Sequence, residues 1–240
     1  MPVVLFTDFG AADLYLGQVK AAIAARAPRI TVLDALHAAP NFGIEPAAHL
    51  LAALVPHYAR DSVFLAVIDP GVGGRRDAIV IEADGRRFVG PDNGLLSVIW
   101  QRSRRRRCRR IAWRPARLSD SFHGRDLFAP VAAALAAKRL PRGWLAAKRA
   151  PEVLLDAGDF PCVIYVDHYG NAMTGMRDLP KSARLRVGRH KLSYARTFEA
   201  ARPGKPFWYP NCIGLAEIAA NRASAARKLR LRIGSPVARV

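Results

Sequence analysis

Cysteine is scarce in this chain: three in 240 residues, at positions 108, 162 and 212. An odd number at such wide spacings fits neither a paired disulfide framework nor a zinc-ligand motif. The chain is long enough to do without either, since a protein of this size removes roughly 70–75% of its unfolded surface from water on folding. A reducing compartment is implied, and the cytoplasm is the expected location. Long apolar runs are missing as well. Charge or proline interrupts every one before the roughly 18 residues that a membrane span needs. The first residues, Met1-Pro2-Val3-Val4-Leu5-Phe6, carry no basic flank and read as a first strand, not a secretory signal.

Acidic residues are few. There are 19 Asp and Glu against 38 Lys and Arg, a formal net charge of +19. Arginine accounts for 31 of the 38 and is spread along the whole chain, whereas a nucleic-acid binder concentrates its basic residues on one element. The densest run, residues 102–110, holds no aromatic residue on which a base would stack. It reads as a solvated loop between a helix and a strand, with a phosphate-binding arm as the competing reading. A nucleic-acid partner is therefore not expected. The chain shows no internal repeat.

What is present is a globular composition, 51% apolar with a mean hydropathy of +0.02. Strand and helix patterns alternate over the first 140 residues. Residues 3–7, 30–36 and 63–68 are short apolar strands. A helix follows Asp13 up to Pro28, and residues 44–59 form another. Residues 78–83 and 87–89 make a hairpin turning at Asp84-Gly85. A helix at 95–101, an extended segment at 109–113 and an alanine-rich helix at 127–139 complete the series. Such alternation predicts an α/β fold with a mostly parallel sheet covered by helices on both faces. This N-terminal α/β domain spans residues 1–145. Prolines and glycines then mark a linker over 146–160. A smaller C-terminal β domain fills 161–240, with strands at 162–166, 184–187, 191–194, 229–233 and 237–240.

Polar residues gather at strand ends, where parallel α/β sheets bind ligands. Thr7-Asp8-Phe9-Gly10 leaves the first strand with a carboxylate suited to a pair of ribose hydroxyls, or to capping the next helix. Asp69-Pro70-Gly71-Val72-Gly73 follows the third strand but lacks the Lys-Ser/Thr ending of a phosphate loop. Pro91-Asp92-Asn93-Gly94-Leu95 has turn chemistry at a helix entry. Phe122-His123-Gly124-Arg125-Asp126 sets a histidine before a helix, where the glycine leaves room for a ligand. Asp167-His168-Tyr169-Gly170-Asn171 offers an acid, a ring and an amide for a purine, or forms a polar turn. The stretch from Asn211 to Asn221 reads otherwise as an ordinary helix start.

In this order, and with Tyr15-Leu16-Gly17 beside Asp13, these motifs resemble the S-adenosylmethionine hydroxide adenosyltransferases, relatives of the fluorinases and chlorinases. The resemblance runs from about residue 3 to 225. It implies an enzyme that hydrolyses S-adenosylmethionine to adenosine and methionine. It also implies a β-barrel-like C-terminal domain and a homotrimer with active sites at subunit interfaces. The family's catalytic Asp, Arg and His fall on Asp69, Arg76 and His123, and its ribose-binding carboxylate on Asp8. Contacts to adenine and the methionine tail fall on Asp167, Tyr169, Asn171, Cys212 and Glu217, with Asp13 a weaker candidate. Cys212 stands where members usually carry serine, and Leu215 where an aromatic residue is commoner.

The chemistry implied is displacement at the ribose 5′ carbon, with neutral methionine sulfur leaving a sulfonium. Hydroxide attacking a sulfonium annihilates charge, so a dry site favours it. An arginine favours the hydroxide form, and a histidine accepts a proton or orients the lone pair. No metal and no cofactor are expected. A halide-using relative is the alternative, but that branch tends to carry an aromatic residue at the position of Asp69 and a hydroxyl residue at that of Gly124. A basic nucleic-acid-binding protein is the remaining reading.

Overall fold

The computed structural model describes residues 1–240, which fall into two compact units, Met1–Ala48 with Tyr58–Ala157 and His49–His57 with Gly158–Val240. The elements preceding and forming the first sheet are β1 (Val3–Thr7), α1 (Leu14–Arg26), β2 (Val32–Leu36), α2 (Ile44–Leu54), β3 (Val63–Val67), β4 (Ala78–Ala83), β5 (Arg86–Pro91), α3 (Ser97–Arg102), β6 (Arg106–Ile111), α4 (Ala129–Ala136) and β7 (Leu145–Lys148). The sheet runs β2-β1-β3-β5-β4-β6-β7. β2, β1, β3 and β5 are mutually parallel; β4 reverses, β6 reverses again and β7 closes the edge antiparallel. Five strands thus point one way, the mostly parallel sheet that the alternating pattern predicts.

Every residue of β1 and β3 is buried. A strand apolar on both pleat faces needs cover on both. One face packs on α1 and α4, with Val3, Leu5, Val19, Ile23, Leu65 and Val131 in a common core. Asp13 caps α1 by accepting from Leu14 N at 2.6 Å. The hairpin turns at Asp84 and Gly85, both at positive φ.

Two features depart from the sequence reading. β7 lies in the stretch read as linker, because four residues suffice to satisfy the free edge of β6. The arginine run is not a loop: Arg106–Ile111 is an inner strand of the sheet, anchored by buried Cys108 and Ile111 while Arg106, Arg107 and Arg110 are exposed. Burial also pushes the Cys108 thiol up to about 11.

The second unit contains β8 (Phe160–Val166), β9 (Ala172–Arg177), β10 (Leu185–Val187), β11 (His190–Leu192), β12 (Pro206–Pro210), β13 (Leu215–Ala220), α5 (Ala225–Leu229) and β14 (Ala238–Arg239). They form one antiparallel sheet, β12-β13-β9-β8, and a smaller one, β11-β10-β14. Val163, Leu185, Trp208, Ile218 and Val237 share its core. The sheets are open and do not close into a barrel. The expected strand at 229–233 is absent. Ser224 caps α5 there, and Arg230 ends it in the left-handed region, so the Leu-Arg-Leu-Arg-Ile alternation straddles a helix end. Residues 215–220, read as part of a helix start, are a fully buried strand. No helix is long and apolar enough to cross a membrane.

Candidate active site

β1 and β3 are parallel neighbours with Thr7 opposite Val67, so the chain leaves both at the same edge of the sheet. Asp8 and Asp69 therefore emerge side by side. They line a cavity of about 120 Å³ together with Phe9, Phe42, Phe122 and His123. The Asp69 side chain is only 4% exposed and is ion-paired with Arg76, itself 12% exposed. Arg76 Nε donates to both Asp69 oxygens at 3.0 Å, and Nη2 donates to Oδ2 as well. The same Nη2 lies 3.0 Å from His123 Nδ1.

Arginine only donates, so His123 Nδ1 accepts and the proton of the neutral ring sits on Nε2. Burial, followed by the charge of Arg76, holds the His123 pKa below its ordinary value, while Asp69 opposes the shift. The Arg76 guanidinium also sits over the Phe128 ring, 5.4 Å from its centroid. Arg76 is not among the residues that line the cavity; it lies behind Asp69 and His123 and joins them.

Gly73 is required for this arrangement. Its φ is +80°, and a Cβ there would lie 2.5 Å from the Asp120 carbonyl oxygen, so only glycine lets the 70–76 loop approach the segment leading to His123. Asn93 steadies the same region by donating to the Ile68 carbonyl at 2.9 Å. The Pro91-Asp92-Asn93 motif thus acts through the backbone beside Asp69. Asp8 accepts from Phe42 N at 3.3 Å, and burial raises its pKa, with Asp69 adding to the rise. The space beside Gly124 is filled by aromatic rings: a Cβ there would meet Phe9 at 3.1 Å and Phe122 at 3.3 Å. Asp13 caps α1 and does not line the cavity.

The remaining candidates meet in the second unit. Asp167, Tyr169, Asn171, Cys212 and Glu217 line one cavity of about 780 Å³. Asp167 accepts from Asn171 twice, from N at 2.8 Å and Nδ2 at 2.9 Å. Tyr169 is 77% exposed, its ring edge-on to that of His168. Glu217 is 2% exposed; its oxygens accept from Tyr209 OH at 2.5 Å and Asn211 Nδ2 at 2.9 Å. Burial raises the Glu217 pKa, and burial together with Glu217 raises that of Tyr209. Asn211 in turn accepts from Ile213 N and Leu215 N, which fixes the loop carrying Cys212.

Asn211, which opens the last of the sequence motifs, lines this cavity too, and so do Tyr209, Arg222 and Arg227, which the sequence reading missed. The signal for Tyr209 is its place opposite Glu217 across two paired strands, legible only once both strands are recognised. Elsewhere, Asp77, Asp92 and Glu152 bring carboxylate oxygens within 4.8 Å of one another. The Lys148 ammonium supplies the cation there, 2.7 Å from Asp77 and 3.1 Å from Asp92.

A buried acid, a guanidinium and an imidazole joined at the carboxyl edge of an α/β sheet form the kind of cluster found at enzyme active sites. The chain belongs to the SAM hydroxide adenosyltransferase family, whose N-terminal domain model matches residues 3–143 and whose C-terminal domain model matches residues 161–238. It is 38% identical to the (R)-S-adenosyl-L-methionine hydrolase of Thermus thermophilus, over 98% of each chain. Identity to a fluorinase of Actinopolyspora mzabensis is 24%, over 98% of this chain and 96% of that one. A crystal structure of an uncharacterized conserved protein from Thermotoga maritima superposes with a TM-score of 0.87 at 31% identity, covering 98% of both chains.

Proposed function

We propose that the protein hydrolyses S-adenosylmethionine to adenosine and methionine, by attack of water-derived hydroxide on the ribose 5′ carbon. The observation that carries this reading is Arg76, which holds Asp69 and His123 together behind the small cavity that Asp8 also lines. Asp8 accepts the two ribose hydroxyls. Asp69 accepts a hydrogen bond from the attacking water, and His123 donates to its oxygen from Nε2. Arg76 fixes both partners, and its charge favours the hydroxide form.

The new bond is O–C5′, the broken bond is C5′–S, and its electron pair stays on sulfur. One water is consumed and one proton is released per turnover. A displacement of this kind transfers no electron and needs no cofactor or metal. Asp167, Tyr169, Asn171 and Cys212 contact the adenine and methionine portions, while Glu217 acts through Tyr209 and Asn211. The reaction takes place in the cytoplasm.

Two features weigh against halide as the nucleophile. Asp69 places a negative charge at the cavity wall, and the hydroxyl residue of the halide branch would crowd Phe9 and Phe122 at position 124. Incubation with S-adenosylmethionine, with and without chloride or fluoride, followed by separation of products tests the reading. Adenosine and methionine are expected in every case. A 5′-halogenated nucleoside, or no turnover, would overturn it.

The assembly is a homotrimer with active sites at subunit interfaces, as the family resemblance implies. Light scattering coupled to gel filtration is expected to give about three times the 26.3 kDa chain mass. A fully active monomer would exclude shared sites.

A further inference from the structure

The turn of the β4–β5 hairpin and the start of β6 form a concavity of about 300 Å³ that the hydrolysis does not use. Arg86, Arg87, Arg105, Arg106 and Arg107 line it, with Glu82 as its one acid. The sheet register gathers them. Arg87 pairs across to Glu82 and Glu82 to Arg107, while Arg86 pairs to Ala83 and Ala83 to Arg106. Residues paired across strands share a face, so Arg87 and Arg107 flank Glu82 on one face and Arg86 and Arg106 flank Ala83 on the other, all at one end of three strands about 4.8 Å apart.

Their charge is only partly compensated, by Glu82 and Asp84 nearby, and none of the five is in a direct ion pair. No carboxylate oxygen comes within 4.0 Å of any of the five guanidinium groups. Asp84, at the turn, accepts instead from the backbone N–H of Arg104 and Arg105. Three of the five are held in place by neutral groups, Arg87 through Nη1, which donates to Met1 Sδ at 3.3 Å. Arg86 Nη2 donates to the Tyr58 carbonyl at 2.7 Å, leaving Nε without a partner. Arg106 Nη1 donates to the Trp100 carbonyl at 2.7 Å, and its guanidinium lies over the Trp100 ring. Burial, followed by the nearby charge of Arg60, depresses the Arg86 pKa, and Asp84 opposes the shift.

Cations fixed this way, with donors unused, present the fork geometry that matches phosphate oxygens. A single small anion would leave most of the charge unmet, whereas linked phosphates would meet several guanidinium groups at once. An adjoining concavity shares Arg106 and Arg107 and continues the basic surface with Arg109 and Arg149. No aromatic residue lines either concavity, so recognition stops at the phosphates.

We propose that this concavity binds an oligophosphate group, separately from the chemistry at Asp69 and His123. The test is calorimetric titration of the full-length protein with inorganic tripolyphosphate at about 50 mM and 200 mM salt. Binding at about one tripolyphosphate per chain, weaker at the higher salt, is expected. Arg105→Ser/Arg107→Ser removes two exposed side chains that make no internal hydrogen bond, so the fold is not at stake. This variant is expected to raise Kd at least ~10-fold, as loss of two charge-assisted contacts does, with S-adenosylmethionine turnover unchanged.

Arg189→Ser/Arg232→Ser removes the same charge from exposed sites on the second unit and should leave Kd unchanged. Equal weakening by both pairs would assign the affinity to net charge alone and overturn the site, as would no binding at the lower salt. A nucleoside triphosphate and a short single-stranded RNA, each competed against tripolyphosphate, identify the source. RNA that displaces it more tightly points to a nucleic-acid backbone, and RNA that fails to displace it points to a free oligophosphate.

Discussion

Arg76→Ala is expected to lower kcat for S-adenosylmethionine by about 10²–10³-fold, the usual cost of losing a preorganised electrostatic partner. The guanidinium touches both Asp69 oxygens and His123 Nδ1, so its loss frees two side chains and removes the positive charge nearest the nucleophile. It does not line the cavity, and KM should change little. Arg76→Lys should recover little of the loss, since a single ammonium cannot reproduce a fork that bonds a carboxylate and an imidazole together. Asp8→Ala provides the contrast. Its ribose hydrogen bonds are made in ground and transition states alike, so KM should rise and kcat should hold. Single-turnover and steady-state measurements on the three variants separate these outcomes. An Arg76→Ala enzyme with near-normal kcat would remove Arg76 from the mechanism.

The second large effect concerns pH. His123 works as the neutral ring, with Nδ1 accepting from Arg76; protonating Nδ1 would turn one N–H against another. Burial and Arg76 place its pKa below the ordinary histidine value of 6.5. The wild-type rate should therefore be flat through neutral pH and fall only as pH drops below 6.5, through the lowered pKa. Stability follows the same sign. In that window the unfolded chain takes up the proton before the folded one does, so acid weakens the fold. His123→Ala should lose this acid step and about 10²–10³ in rate. A rate profile that keeps the step in His123→Ala would assign it to another group.

Much of the first unit was legible because its strands are apolar on both faces and its helices carry clear stops. β1 and β3 read correctly from unbroken buried runs, and α1 from Asp13 at one end and Pro28 beyond the other. The second unit was harder. Leu215–Ala220 is rich in residues that favour helix and shows no alternation, yet burial between β12 and β9 makes it a strand. The arginines misled in the other direction, since Arg106–Ile111 owes its place in the sheet to only two buried side chains. The candidate site was visible as residue types at strand ends. The contact between Arg76 and His123, 47 positions apart, depends on how the sheet edge and the turn at Gly73 bring two loops together, and no local pattern encodes that.

Between His123 and α4 the chain does not make an ordinary helical turn. Residues Gly124–Phe128 form a π turn, in which Ala129 N donates to the Gly124 carbonyl, and α4 continues directly from it. The π turn holds one residue more than an α turn would. Its two ends answer to different constraints: Val131 and Leu135 must face the core, and His123 must face Arg76. An α-helix rotates by about 100° per residue. Deleting any one residue from this segment would therefore leave the packing or the imidazole correctly aimed, but not both, and the number of residues between the histidine and the buried helix is as constrained as their identity.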